Sequence, residues 1–163
     1  KGWPKIKVGT TTGYVSSKYL SETKDSSNSS SDNTSNSTTS ASKVVSYAKS
    51  FLGKPYVWGA QGPSSFDCSG FTYYVFKNSA NITLPRTSKD QSTYGTTVSK
   101  KNLKVGDLVF FDTSGSNSGN VSHVGIYIGS NQFIHASSSK GKVVISDFNN
   151  YYTNAFVKAK RVL

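Results

Sequence analysis

One cysteine and two histidines hold most of the chemical possibilities of this chain: Cys68, His123 and His135. A thiol becomes a nucleophile when a base takes its proton and a third group orients that base. The third group can itself be a histidine. Cys68 follows a loop rich in Gly, Pro and Ser, and it opens a stretch of helical periodicity, Cys68 to Asn78, in which Phe71, Tyr74 and Val75 face inward. Asp67 suits the N-cap of that helix. Free N–H groups and a partial positive charge at the helix start favour a thiolate there and can receive a developing oxyanion. Gly70 lets a second backbone approach closely. Asp67 opposes thiolate formation, so a cationic histidine is the expected compensating charge. The plain alternative is that a lone cysteine is a small buried hydrophobe.

The histidines fall in two alternating segments. In VSHVGIYI, the residues Val121, His123, Gly125 and Tyr127 share a face; in QFIHAS, Phe133, His135 and Ser137 do. Gly129-Ser130-Asn131 joins the segments. A three-residue loop makes Ile128 face Gln132, His135 face Gly125 and His123 face Ser137. Both histidines then share one face, diagonal neighbours roughly 7–8 Å apart at Cα, and Gly125 leaves room for the His135 ring. A two-residue loop would send them to opposite faces. The catalytic reading therefore depends on the three-residue register. Zinc is the competing reading of one Cys and two His. The H-x₁₁-H spacing does not fit the usual ligand clusters and there is no second cysteine, so neither a metal nor a cofactor is expected.

These residues need elements to position them. Val44, Val45, Ala48, Phe51 and Leu52 form one face of a helix over 43–52, with Ser42 as N-cap and Gly53 beyond its end. A short helix begins after Thr87, which with Asp90 matches a capping box, and stops at Gly95. Strands follow at Asp107–Phe111, Val121–Ile128, Gln132–Ser137, Lys142–Ser146 and Ala155–Val162. Helices first and a run of strands afterwards imply an α+β domain with a mainly antiparallel sheet. Residues 23–42 are Ser, Thr and Asn with a single apolar residue, Ala41, which reads as a flexible linker. Residues 1–22 alternate around Ile6 and Val8 and then enter a Gly13-Tyr14-Val15 strand, too little to form a core alone.

Four segments occur in order: PYVWGAQGPSSFDCSGFTYYVF, LPRTSKDQ, LKVGDLVFF and SHVGIYIGSNQFIHAS. They resemble the successive motifs of the NlpC-type cell-wall endopeptidases, papain-like enzymes of the bacterial envelope. The likeness runs from about residue 43 to the C-terminus. It implies a papain-like α+β fold, with N-terminal helices packed on the sheet. It also implies Cys68 as nucleophile, His123 as general base and His135 as the orienting residue. Tyr56 corresponds to a tyrosine that helps at the oxyanion. Asp67 and Ser69 correspond to residues that hold the free amino end of a stem peptide. Ala60 departs from the family, which often has a second Gly there. Arg86 and Gln91 border the cleft region and read as a solvated helix start. The implied reaction cuts the γ-D-glutamyl–diamino acid bond of peptidoglycan through a thioester. An amidase or acyltransferase would use the same three residues, and a non-catalytic wall-binding module would need none of them. GWPKIKV…TTGYVSSKYL resembles the C-terminal half of a bacterial SH3-like domain, a type that holds cell-wall peptide or glycan. The domain plan is thus 1–22 SH3-like remnant, 23–42 linker and 43–163 peptidase.

Charge fits the same setting. The formal net charge of +11 divides as +3 on residues 1–22, −1 on 23–42 and +9 on 43–163. Such a surface is attracted to a polyanion, and an anionic cell wall or nucleic acid would serve. No helix-turn-helix, zinc spacing or aromatic-basic RNA-binding pattern is present, which excludes nucleic acid as the expected partner. No run of 18 apolar residues exists, so no membrane span is expected. One cysteine allows no internal disulfide. With no Met or leader at Lys1, the expectation is a piece of a longer secreted, wall-associated protein, acting as a monomer on stem peptides.

Overall fold

The computed structural model describes residues 29–115 and 118–163, with side chains from Thr39 onward. Residues 1–22, assigned by resemblance to an SH3-like remnant, lie outside the described residues. Contacts divide the chain into two units, residues 1–36 and 37–163, and the sheet and the candidate site residues all belong to the second.

The elements run α1 (Ser29–Lys49), α2 (Cys68–Ala80), α3 (Ser88–Gln91), β1 (Thr96–Val98), β2 (Leu108–Phe111), β3 (His123–Gly129), β4 (Gln132–Ser137), β5 (Lys142–Asp147), α4 (Asn150–Ala155) and β6 (Phe156–Arg161). The strands form one sheet in the order β1-β6-β2-β3-β4-β5, every neighbouring pair antiparallel. This is the α+β arrangement read from the sequence.

Alternation along the strands builds a core on each face. Leu108, Phe110, Val124, Ile126, Ile134 and Ala136 point to the face covered by α1 and α2, where they meet Val44, Ala48, Phe71, Val75 and Phe76. Val109, Phe111 and Phe133 point to the other face and pack with Phe148, Ala155 and Ala159. Strand β2 is therefore buried on both sides, which is why its four residues, LVFF, are all apolar.

Three local readings change. The first helix does not begin beyond Ser42; it runs Ser29–Lys49 and includes residues expected as linker. Ser, Thr and Asn are mediocre helix formers rather than breakers, and 29–49 contains neither Gly nor Pro. The helix also ends earlier, at Lys49, so Leu52 is exposed rather than inward-facing. Finally, the β3–β4 connection is not a three-residue loop. Ser130 and Asn131, at φ 54° and 61°, form a two-residue turn, and Gly129 pairs with Gln132. Tyr127 nevertheless pairs with Phe133, and Ile126 with Ile134, because Ile128 is bulged out of the ladder. The turn and the bulge together restore the strand register that the histidine pairing requires.

Candidate active site

Helix α2 starts at Cys68. Asp67 caps it, its Oδ1 accepting from the Gly70 N–H at 2.6 Å. The loop before the helix is bound tightly: the Asp67 N–H donates to the Ala60 carbonyl at 2.8 Å, and the Gly59 N–H donates to Asp67 Oδ2 at 3.1 Å. A Cβ on Gly70 would strike the Ala60 carbonyl and approach the Gln61 Cα to 2.9 Å. The close backbone approach expected at Gly70 is therefore real, and it comes from the Ala60–Gln61 segment.

His123 opens β3 and His135 lies within β4. Their rings stand edge to face with centroids 4.9 Å apart, and His123 Nε2 is 2.7 Å from His135 Nδ1. A Cβ on Gly125 would lie 2.8 Å from Phe133 Cδ2 and 3.2 Å from His135 Cβ, so the missing side chain is what admits the pair. Phe133 and Tyr152 flank His135 at centroid distances of 4.5 Å and 5.7 Å. His135 Nε2 is 2.8 Å from Ser146 Oγ. The His123 Nε2 is thus committed to His135, leaving Nδ1 as the nitrogen that can serve a reacting group.

Cys68 packs at the margin of the α2-side core, and its sulfur meets the Val124 N–H, one residue beyond His123. The N–H groups of Ser69 and of Cys68 itself also bear on the sulfur. These donors lower the thiol pKa, but burial and the Asp67 carboxylate push it up and win. Burial also pushes His123 down to about 4, and pushes His135 well below its ordinary value with help from His123. Burial thus works against the resting thiolate and cationic histidine expected from the helix terminus. For Cys68, loss of water outweighs the helix N–H groups in the direction of the shift.

Tyr56 stands beside Cys68 and Asp67, whose charges, after burial, raise its phenol pKa. Asp67 and Ser69 are not free. Arg86 donates from Nη2 to Asp67 Oδ2 at 2.9 Å, and from Nη1 to Ser69 Oγ at 2.9 Å and Asp67 Oδ1 at 3.2 Å. Gln91, read as part of a solvated helix start, is fully buried. Its Oε1 accepts from Thr72 Oγ1 at 2.7 Å, and its Nε2 donates to the carbonyls of Pro85 at 2.8 Å and Ser69 at 3.1 Å. Arg86 and Gln91 thus bind the α3 segment to the start of α2. Their position in LPRTSKDQ was the available signal; their partners, 19 residues away in Arg86's case, were not. Among the described residues no cluster of metal-ligating side chains occurs. A polar cavity of about 400 Å³ opens beside His123, lined in part by Ser137, Asn149 and Tyr152.

A thiol at a helix N-terminus, set beside a strand that presents a hydrogen-bonded histidine pair, defines a papain-like α+β domain. Residues 53–161 match the model of the NlpC/P60 family. The chain is 49% identical over 96 residues to "Probable endopeptidase p60" of Listeria innocua, covering 59% of this chain and 20% of that protein. It is 40% identical over 124 residues to the gamma-D-glutamyl-L-lysine dipeptidyl-peptidase of Bacillus cereus, covering 76% of this chain and 37% of that one. The crystal structure of an NlpC/P60 family protein from Bacillus cereus matches with a TM-score of 0.69 at 38% identity, over 74% of this chain and 39% of that one. The chain belongs to the NlpC/P60 family, and it spans about a fifth of the length of the Listeria relative.

Proposed function

We propose that this protein is a peptidoglycan hydrolase, a cysteine peptidase that cuts stem peptides at the γ-D-glutamyl–diamino acid bond. The observation that carries the reading is the 2.7 Å contact between His123 Nε2 and His135 Nδ1, beside a thiol that opens a helix. The names of the family relatives, an endopeptidase and a γ-D-glutamyl dipeptidyl-peptidase, support the substrate class. The net charge of +11 suits an anionic wall, and the setting is extracellular and wall-associated. Among the described residues no helix is long and apolar enough to cross a membrane.

The reaction begins with a neutral pair. As Cys68 Sγ attacks the γ-glutamyl carbonyl, its proton moves to His123 Nδ1 and the sulfur–carbon bond forms. The oxyanion is received by the Cys68 and Ser69 N–H groups at the start of α2, which bear on the sulfur at rest, with the Tyr56 hydroxyl beside it. His123 then returns the proton to the leaving amine, the C–N bond breaks and a thioester remains. Water gives a proton to His123 and adds to the thioester; on collapse the sulfur leaves and takes that proton back from His123, and the γ-D-glutamyl carboxylic acid is released and ionises in solvent. In this reading the leaving diamino acid departs through the cavity beside His123, the residue that protonates its amine. Asp67 and Ser69 border the free amino end of the substrate. Arg86 offsets the Asp67 charge, so the amine meets a nearly neutral cluster rather than a bare carboxylate.

The test is digestion of purified peptidoglycan with mass spectrometry of the soluble fragments. The native protein should release peptides ending in γ-D-glutamate, and Cys68→Ala should release none. Equal release by both, or none by the native protein, sinks the reading.

A further inference from the structure

The histidine pair does not end at His135. Its Nε2 contacts Ser146 Oγ at 2.8 Å, and the Tyr152 phenol stands near that hydroxyl. The register explains the placement. His135 pairs with Val144 and Phe133 with Ser146, so Ser146 sits on the same face as His135, one diagonal step along β5. Tyr152 reaches it from α4, its ring edge-on to His135 at an interplanar angle of 83°.

A run of imidazoles can order its protons in only two ways. In one, His123 carries its proton on Nε2 and gives it to His135 Nδ1; His135 then carries its own on Nε2 and gives that to Ser146. His123 Nδ1 is left as a lone pair. In the other, every bond is reversed: Ser146 donates to His135, His135 donates to His123, and His123 Nδ1 holds a proton. A histidine in that second state takes no proton from a thiol. We propose that Ser146 is a positioning residue that selects the first order, accepting from His135 Nε2–H while its own hydrogen is directed at Tyr152. Neither residue need touch the substrate for this. The inference rests on Cys68 as nucleophile and His123 as its base, and it adds that the strand beyond the histidines sets which tautomer the base adopts.

The experiment compares the full chain with Ser146→Ala and Ser146→Thr, alongside Cys68→Ala. Turnover of a γ-D-glutamyl stem peptide and the ¹⁵N spectra of the imidazoles are measured at pH 7. Ser146→Ala should lower kcat by about 10- to 100-fold with KM little changed, the scale seen when a group orienting a functional imidazole is removed. Its His123 Nδ1 resonance should move from the unprotonated position toward a tautomer mixture. Ser146→Thr keeps the hydroxyl and should restore both the rate and the spectrum. Unaltered tautomers in Ser146→Ala, or a Ser146→Thr variant no better than Ser146→Ala, would overturn the inference. If Cys68→Ala remains active, the reading of the site itself has failed, whereas the imidazole spectra still report on Ser146 separately.

Discussion

Lowering the pH should destabilise this fold through its histidines well before its carboxylates titrate. His123 has a pKa of about 4 in the folded protein, against an ordinary value of 6.5, because burial disfavours the imidazolium. Between these values the unfolded chain binds a proton that the folded chain does not. Stability therefore falls as pH drops from about 6.5, and this loss is complete once the pH is below about 4. The gap corresponds to roughly 3 kcal/mol, at about 1.4 kcal/mol per pH unit. His135 is displaced in the same direction, by burial and by His123, and adds to the effect with the same sign. Asp112 lies outside this window: the Ser114 hydroxyl and N–H hold its carboxyl down to about 2, so its contribution is lost only in stronger acid. For a domain of ordinary stability, about 5–15 kcal/mol, the histidine term is a substantial share. The assay is urea unfolding by far-UV circular dichroism at several pH values between 4 and 7, for the native protein and for His123→Asn. With a urea m-value of about 2 kcal/mol per molar, the native midpoint should fall by roughly 1.5 M or more across that range. The variant's profile should be flatter by the His123 share. Carboxylates titrate equally in both proteins, so the difference isolates the imidazole. Identical pH profiles would refute the claim that burial holds His123 neutral.

Other outcomes rest on the same geometry. Alkylation of Cys68 by iodoacetamide should rise with pH toward and beyond the ordinary thiol value of 9.0, because burial and Asp67 raise its pKa; a flat rate across pH 5–8 would mean a stable thiolate–imidazolium pair instead. Gly125→Ala should destabilise by about 1–3 kcal/mol, since the new methyl meets Phe133 and His135, and should lower kcat by displacing His135. Thermal unfolding and steady-state kinetics check both parts. Arg86→Leu should reduce stability by about 1–3 kcal/mol by removing charge-assisted bonds from the mostly buried Asp67; an unchanged Tm would show that Gly59 and Gly70 satisfy that carboxylate alone.

The sequence makes some of this legible because short-range physics decides it. Asp67 before an apolar helix, Thr87 three residues before Asp90, and two alternating strands each bearing a histidine are local patterns, and α2, α3 and the His123–His135 face follow them. Other features depend on partners far along the chain. Strand β1 has three residues, too few for a period, and exists because Thr96–Val98 pair with β6. Helix α4 is a short polar-aromatic segment whose inward side is Ala155 and the half-buried Tyr152. Arg86 and Gln91 read as solvated because charged and amide side chains usually are; only the folded chain brings them Asp67, Ser69 and Thr72. Upstream of Ala41, α1 carries no apolar stripe, so nothing in the pattern announced a helix there. The opposition of burial to a thiolate was hidden for a related reason: a helix terminus is visible in sequence, and the amount of water excluded from it is not.

The bulge at Ile128 has a consequence for how this hairpin can change over time. The β3–β4 tip works as a parity device: a two-residue turn of one parity and an extra residue of the other combine to keep His135 on the side of His123. Removing Ile128, or adding one residue at Ser130-Asn131, would slide β4 by a single step. Ile134 would then be presented to His123, and His135 would be driven among Phe110, Val124 and Ile126. Length variation here is consequently quantised. Natural drift or loop grafting can extend the tip by two residues and keep the site intact, whereas a change of one residue disables it unless a second change, a lost or gained bulge, arrives with it.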